Sequence, residues 1–321
     1  MLSCVLFRQS ASAPWRPMIK KKSMTVLVIA LGCCCWPLAA FAQMVETPAP
    51  KDCKPTIVGT VENFELPSAV FSFTRTVRVF LPAGYNDAAN RARRYPVLYL
   101  FDGQNLFDAC LAYDHVHEWQ VDETVTRLID EGKIAPLIVV GLDNAKSARG
   151  SEYLPWGDNI QNPGGPAPSG NRMPEFLIKE VMPAIAARYR VAEGRENTGI
   201  GGSSYGGIAA LYVGISAPTV FGKVLAESPV LWPGNAAIVR ETSYLGMAPL
   251  KVFMAYGLKE WDRPGMNDAE VKMIRQVETN LKNALVSPSQ VKVILDPEAH
   301  HNEAAWARRL PEALTFLFPA Q

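Results

Sequence analysis

Continuous apolar runs bounded by turn-forming residues constrain the fold of this 321-residue chain more than any other feature. Such runs are typical of strands whose two faces are both buried. Five segments have this character, namely 95–101, 136–141, 220–226, 251–255 and 290–295. Helical periods lie near 121–131, 173–189, 205–215, 268–285 and 302–318. The alternation predicts an α/β fold with a mostly parallel central sheet and helices on both faces.

The segments before the first buried run have a different pattern. Alternating apolar and β-branched residues in 56–61 and 75–82 predict two antiparallel strands at the edge of the sheet. Residues 144–171 are rich in Pro, Gly, Asn and Ser, and a loop of that length in a compact domain is usually functional or disordered. We find no internal repeat, and we predict a single domain over 56–321 after a spacer at 43–55.

The first 42 residues contain five basic side chains and no acidic one. A basic cluster at Lys20–Lys22, an apolar stretch at 25–38 and the small-residue site Ala40-Phe41-Ala42 predict an export signal that is cleaved before Gln43. Met18 would begin a more conventional signal than Met1. An uncleaved anchor is the alternative, although the apolar stretch is short for a transmembrane helix. We therefore expect a periplasmic or secreted protein without stable membrane association after cleavage.

Charge and cysteine content change when the signal is removed. The formal charge of +1 becomes −4, because 32 − 5 = 27 basic residues then face 31 acidic ones. This balance gives no indication of a nucleic-acid partner. Only Cys53 and Cys110 remain of the six cysteines, and an oxidising compartment would allow them to pair. The sequence gives no Cα separation, so two separate thiols are the alternative.

The segment Gly202-Ser203-Ser204-Tyr205-Gly206 is the only G-x-S-x-G frame in the chain. It lies between a candidate strand at 197–202 and a helix rich in small residues, the context in which this motif forms a nucleophile elbow. The sharp turn exposes the serine hydroxyl, and glycines avoid collisions where the strand meets the helix. We predict that Ser204 is a nucleophile in an α/β-hydrolase fold.

A serine hydroxyl needs a positioned base, and the chain has only four histidines. In α/β-hydrolases the chain order is nucleophile, acid, base, and only His300 and His301 follow Ser204. We predict His301 as the base. The acid is expected after the strand 251–255, where Glu260 is favoured and Asp262 is the alternative.

Acyl transfer also requires donors for the oxyanion that forms on the substrate. The N–H of Tyr205 follows the nucleophile directly. The turn Asp102-Gly103-Gln104 follows the buried run 95–101, which makes the N–H of Gln104 the second predicted donor.

Several motifs resemble one family of α/β-hydrolases. They are Tyr95-Pro-Val-Leu-Tyr-Leu-Phe-Asp-Gly-Gln-Asn-Leu-Phe107, Ile200-Gly-Gly-Ser-Ser-Tyr-Gly-Gly207 and His301-Asn-Glu-Ala-Ala-Trp306, with weaker matches at 78–85, 118–122 and 149–153. Together they resemble the "putative-esterase" (esterase D-like) family, which includes feruloyl and acetylxylan esterases, siderophore trilactone esterases and mycolyltransferases. The resemblance covers about 56–318. It implies the same nucleophile, base and oxyanion donors, and a carboxylate after Gly257 where the feruloyl esterases often have aspartate.

The predicted function is that of a serine esterase that forms an acyl-enzyme on Ser204, without a cofactor, and acts on a small-molecule or carbohydrate ester. A carbohydrate-linked or phenolic (feruloyl or acetyl) ester is the favoured substrate. The alternatives are a siderophore trilactone esterase, an acyltransferase, and a binding protein with an inactive site. The sequence does not predict the oligomeric state.

Substrate-binding residues are the least determined by sequence. Five side chains near the expected site are candidates, namely Arg149, Glu152, Tyr153, Trp156 and Trp232. Each is also compatible with a packing or salt-bridge role. A further run, Asp114-His-Val-His-Glu118, offers metal-ligand side chains, but such a run is more often solvated surface, so no metal site is predicted.

Overall fold

The computed structural model describes residues 50–157, 167–285 and 287–320. All of them lie in one compact unit. The predicted signal peptide and most of the predicted spacer lie outside the described residues. None of the helices in the described ranges is both long and apolar enough to span a bilayer.

Within the part of the chain that the structure describes, eight strands form one sheet. They are β1 Thr60–Pro67, β2 Thr74–Leu81, β3 Val97–Phe101, β4 Ile138–Leu142, β5 Thr198–Ser203, β6 Lys223–Glu227, β7 Lys251–Gly257 and β8 Val291–Asp296. Their order in the sheet is β1-β2-β4-β3-β5-β6-β7-β8. β2 pairs antiparallel with both β1 and β4, whereas the other pairs are parallel. The predicted α/β-hydrolase class with its mostly parallel sheet is confirmed.

The edge strand β1 begins four residues later than the sequence pattern indicated. The backbone N–H groups of the residues before it donate to side chains instead of to a neighbouring strand. The N–H of Val58 donates to Asp122 Oδ2 at 2.6 Å, and the N–H of Thr56 donates to Asp108 Oδ1 at 3.4 Å. Carboxylates therefore replace strand pairing over the first predicted residues.

Eight helices cover the sheet in the described ranges. They are α1 Val121–Asp130, α2 Arg149–Tyr153, α3 Met173–Phe176, α4 Met182–Ala186, α5 Tyr205–Ser216, α6 Pro233–Glu241, α7 Met266–Ala284 and α8 Glu303–Leu317. Apolar residues of α1 and α8 pack in one core cluster, and those of α3, α5, α6 and α7 pack in the other. The sheet therefore has helices on both faces.

The helix predicted over 173–189 is divided. A π-helical turn, Leu177–Val181, separates α3 from α4, which has Pro183 in its first turn. Proline cannot donate the hydrogen bond that would continue a regular α-helix, and its ring crowds the preceding turn. The periodic pattern therefore predicted helical structure here and missed the local break.

A disulfide joins Cys53 to Cys110, whose Cα atoms are 5.7 Å apart. The structure thus contains the pair that the sequence left open. The bond attaches the segment before β1 to the loop that leads toward α1.

The register of the central strands places their carboxyl ends side by side. Ser203 at the end of β5 pairs with Glu227 of β6, and Glu227 pairs with Ala255 of β7. Side chains just beyond these three positions therefore lie along one edge of the sheet, where parallel α/β folds place their sites.

Candidate active site

Ser204 occupies the turn between β5 and α5 with φ 58° and ψ −122°. A positive φ is costly for a residue with a side chain and persists where the surroundings enforce it. Here a Cβ on Gly202 would lie 2.5 Å from the carbonyl oxygen of Gly206, so strand and helix approach too closely for a side chain. The N–H of Ser204 also donates to the carbonyl of Glu227 at 2.9 Å. These contacts fix the elbow that the sequence predicted.

His301 and Glu260 form a hydrogen-bonded pair. His301 Nδ1 lies 2.9 Å from Glu260 Oε2, and the Glu260 side chain is fully buried. The two loops meet closely, since a Cβ on Gly257 would lie 2.3 Å from the carbonyl oxygen of Ala299. Of the two predicted acids, Glu260 is the one that contacts the histidine, whereas Asp262 is exposed. His300 is also exposed.

The second oxygen of Glu260 has its own donors. Glu260 Oε1 accepts hydrogen bonds from the Ser228 hydroxyl and, at 2.7 Å, from the N–H of Gly257. Ser228 Oγ in turn accepts from Trp306 Nε1 at 2.9 Å and Arg309 at 3.3 Å. Sequence reasoning missed this chain of donors, because Ser228 lies on a third strand end and its role depends on side chains from α8.

A buried ion pair lies behind this network. Arg309 contacts Glu227 Oε2 through two nitrogens at 3.0 and 2.8 Å. Burial raises the pKa of Glu227 to about 7, although Arg309 opposes the shift. Arg309 also lies 3.3 Å from Ser228 Oγ, so positive charge lies beside the hydroxyl that donates to Glu260 Oε1.

Aromatic rings surround the imidazole of His301. Trp261 and Trp306 both lie 5.3 Å from it between ring centroids, the first tilted at 33° and the second edge-on at 86°. Trp232 continues the row, 5.5 Å from Trp261. Trp232 and Trp261 are half-buried and therefore present part of their surface to solvent. Of the predicted substrate-binding tryptophans, Trp232 belongs to this row and Trp156 does not.

Side chains from the segment after β4 hold the turn that contains Gln104. Asp102 precedes it with φ 58° and forms a two-point ion pair with Arg149, in which both N–O distances are 2.7 Å. Asn144 Nδ2 donates to Asp102 Oδ1 at 2.7 Å, and the N–H of Asn144 donates to Gln104 Oε1 at 3.2 Å. These contacts hold the turn at the end of β3, beside the elbow on β5.

Two predicted substrate-binding residues, Arg149 and Tyr153, contact this turn through Asp102, and a third, Glu152, is buried. Tyr153 has no exposed surface and accepts a hydrogen bond from the N–H of Asp102 at 3.1 Å. Glu152 is 2% exposed and pairs with Arg75. Neither side chain has exposed surface for a substrate in this structure, and their substrate contacts stay a prediction. The guanidinium of Arg149 is committed to Asp102, and Trp156 packs edge-on against Tyr212 at 5.3 Å.

The histidines of the 114–118 run have local partners. His117 Nδ1 lies 2.7 Å from Asp114 at the surface, and His115 Nδ1 lies 2.8 Å from the carbonyl oxygen of Cys110. Glu118 is buried and lies with Asp122 and Glu123 instead.

Comparisons with known proteins agree with this architecture. The family described as "Putative esterase" matches residues 68–317. The "Uncharacterized protein YbbA" of Bacillus subtilis (strain 168) is 23% identical over 250 residues, which are 76% of this chain and 92% of that protein. The CE1 ferulic acid esterase of Anaeromyces mucronatus has TM-score 0.57 and 20% identity, covering 84% of this chain and 93% of that one. The enterobactin esterase of Shigella flexneri, solved with enterobactin, has TM-score 0.64 and 17% identity, covering 84% of this chain and 62% of that one. These structural likenesses concern the fold.

Proposed function

The chain belongs to the "Putative esterase" family and is a carboxylic-ester hydrolase, and we propose that it works through an acyl-enzyme on Ser204. The observation that carries the proposal is the Glu260–His301 hydrogen bond, from a loop after β7 to a loop after β8, in a chain whose only G-x-S-x-G elbow follows β5. Nucleophile, acid and base then follow the order expected of the fold.

The proton path follows from the atoms that are already paired. With Nδ1–H of His301 donating to Glu260, the other ring nitrogen, Nε2, is available to accept the proton of the Ser204 hydroxyl. Serine attacks the ester carbonyl, and the protonated imidazole then donates its proton to the departing alcohol. Water repeats the sequence on the acyl-enzyme and releases the acid.

The oxyanion would be held by the N–H groups of Tyr205 and Gln104. Tyr205 is the first residue of α5, and the leading N–H groups of a helix have no partner within the helix. The contacts of Asp102 with Arg149 and Tyr153 hold the Gln104 turn in place, so the donors are positioned before the substrate arrives.

We propose an aromatic acyl ester, of the feruloyl type linked to a carbohydrate, as the substrate class. The support is the pair of partly exposed tryptophans, Trp232 and Trp261, that continues from the ring of His301. Rings of this kind stack on planar phenolic groups. A siderophore trilactone, whose acyl groups also contain aromatic rings, is the second candidate, since the enterobactin esterase shares the fold.

We also propose that the protein is exported and that residues before Gln43 are removed. A disulfide between Cys53 and Cys110 supports an oxidising compartment, because cytosolic thiols are normally kept reduced. N-terminal sequencing of the protein recovered from the periplasm or medium tests both points, and an intact cytosolic N-terminus would contradict them.

The direct test is hydrolysis of p-nitrophenyl acetate, methyl ferulate and an acetylated xylan. We expect Ser204→Ala and His301→Ala each to lower kcat/KM by about 10³-fold or more. His300→Ala is the matched control, since His300 is exposed beside His301, and it should change the rate less than about 3-fold. Full activity of Ser204→Ala would exclude the acyl-enzyme. Addition of a sugar acceptor separates hydrolysis from acyl transfer, and a preference for a catecholate trilactone over methyl ferulate would favour the second substrate class.

A further inference from the structure

Three carboxylates lie together at the start of α1, on the helical layer that includes α8. Glu118, Asp122 and Glu123 each offer a carboxylate oxygen within 4.8 Å of the other two. Glu118 is 5% exposed and Asp122 has no exposed surface. Three acidic groups at this separation repel one another strongly when ionised and poorly hydrated.

Each of these carboxylates has one buried oxygen without a hydrogen-bond partner in the described structure, namely Glu118 Oε2, Asp122 Oδ1 and Glu123 Oε2. The other oxygen is occupied in Glu118 and in Asp122. Glu118 Oε1 accepts from the hydroxyl of Thr56, and Asp122 Oδ2 accepts from the N–H of Val58. Buried polar atoms are nearly always paired, so these oxygens need either a bound cation or protons shared between the carboxyls, as between Asp122 and Glu123.

The lack of a compensating cation distinguishes this cluster from the buried carboxylates Glu152 and Glu227. Glu152 and Glu227 also have one orphan oxygen, but Arg75 and Arg309 respectively pair with them. None of the ion pairs found among residues 50–157, 167–285 and 287–320 includes Glu118, Asp122 or Glu123. Within the described residues, the cluster therefore contains three carboxylates that no basic side chain neutralises through an ion pair.

The donor set determines which cation fits. Oxygen-only carboxylate ligands suit the hard cations calcium and magnesium. Two ligands on opposite sides of calcium lie about 4.6–5.2 Å apart, whereas around magnesium they lie about 4.0–4.2 Å apart. Oxygens that all lie within 4.8 Å of one another can reach one ion of either kind. Calcium accepts irregular coordination, whereas magnesium requires near-ideal octahedral geometry, so this set of side chains favours calcium. A cavity of about 260 Å³, lined in part by Glu118 and Glu123, has room for water ligands. Arg308 also lines this cavity, but it lies 3.6 Å from Asp296.

We propose that Glu118, Asp122 and Glu123 bind a calcium ion. Because the other oxygens of Glu118 and Asp122 hold Thr56 and Val58, the ion would fix the segment before β1 on the first turn of α1. This is the segment that the Cys53–Cys110 disulfide also attaches. The bound calcium would act on stability, at a site separate from Ser204 and His301.

Protons compete with a cation for the oxygens of these carboxylates. Burial raises the pKa of Glu118 to about 7, against the hydrogen bond from Thr56, and burial with Glu123 as neighbour raises that of Asp122 to about 8. Without a cation, the cluster would keep protons at neutral pH. The experiment must therefore distinguish a metal from a shared proton.

Chelator-treated protein is titrated with calcium while thermal unfolding and heat of binding are measured. With a Kd on the order of 10⁻⁴ M, as in extracellular calcium modules, about 10 mM calcium should raise Tm by about 5 °C. Magnesium at the same concentration should raise it less. Terbium provides a second readout, because Trp119 follows Glu118 in the chain and can transfer excitation energy to a bound lanthanide.

Glu123→Gln is the main variant, since Glu123 is only half-buried and its replacement preserves size. We expect a loss of calcium affinity of at least about 10-fold, with loss of the Tm response. Glu131→Gln, at the exposed far end of α1, is the matched control and should keep the full response. A calcium response that persists in Glu123→Gln, or no response and no terbium emission in the unmodified protein, would overturn the proposal. In the latter case Asp122→Asn should unfold at the same Tm or higher, as expected of a protonated carboxyl.

Discussion

Two buried groups of carboxylates in this molecule have opposite surroundings. Glu260 has a donor for each oxygen, from His301 on one side and from Ser228 and Gly257 on the other. Glu118 and Asp122 each have a donor for one oxygen only, and both lie with Glu123, whose Oε2 also has no described partner. Glu260, Glu118 and Asp122 are all buried, but their supply of donors differs. The comparison teaches that donors decide whether a buried carboxylate can orient a histidine or needs a cation or a proton.

The largest effect on catalysis should come from removing Glu260, the carboxylate that has a hydrogen-bond donor for each oxygen. Glu260→Ala leaves Nδ1 of His301 without its partner, so the imidazole loses its orientation and its charged form loses stabilisation. We expect kcat on p-nitrophenyl acetate to fall by about 10³–10⁴-fold. Asp262→Asn is the control and should keep nearly full activity, because Asp262 is exposed. The reverse result would make Asp262 the acid.

A buried carboxylate should destabilise the folded state when its ion-pair partner is removed. Arg149→Ala leaves Asp102 buried with only neutral donors, which should lower the free energy of unfolding by about 3–5 kcal/mol. Urea denaturation measures the loss. The double variant Asp102→Asn with Arg149→Ala should recover part of it, because no uncompensated charge remains. If the double variant is as unstable as the single one, packing and not charge explains the role of Arg149.

Removing one of Glu260's donors should have a smaller effect on catalysis. Ser228→Ala leaves Glu260 Oε1 with the N–H of Gly257 alone and leaves Trp306 Nε1 without its acceptor. We expect kcat to fall about 10-fold to 10²-fold with KM nearly unchanged, since Ser228 acts through the carboxylate and not on the substrate. The pH profile of kcat should shift in the same variant. An increase in KM with unchanged kcat and pH profile would indicate a binding role instead.

The sequence was more informative about the strand pattern and the residues at the strand ends than about the hydrogen-bond network around Glu260. The elbow at Ser204 and the Glu260–His301 contact depend on local motifs and on chain order, which a sequence displays directly. Ser228, Trp306 and Arg309 come from β6 and α8, so their convergence depends on register and packing. The same limitation explains Glu152 and Tyr153. Their motif suggested a loop facing substrate, whereas the short helix α2 turns both side chains into the core.

The smallest effect is expected for Glu270, a buried carboxylate with one weak donor. Its supply of donors lies between that of Glu260 and that of the Glu118, Asp122 and Glu123 cluster. Burial raises the pKa of Glu270 from its ordinary value of 4.5 to about 8, and its only described donor is the N–H of Leu231 at 3.4 Å. The folded state therefore holds a proton that the unfolded state releases above about pH 4.5. This contribution to stability is complete below that pH and is lost progressively as pH rises to about 8. Glu270→Gln keeps the shape of the neutral side chain and removes the titration. Urea denaturation at pH 6 and pH 9 should show the unmodified protein losing more stability than the variant. Parallel losses in the two proteins would mean that Glu270 is already ionised in the folded state.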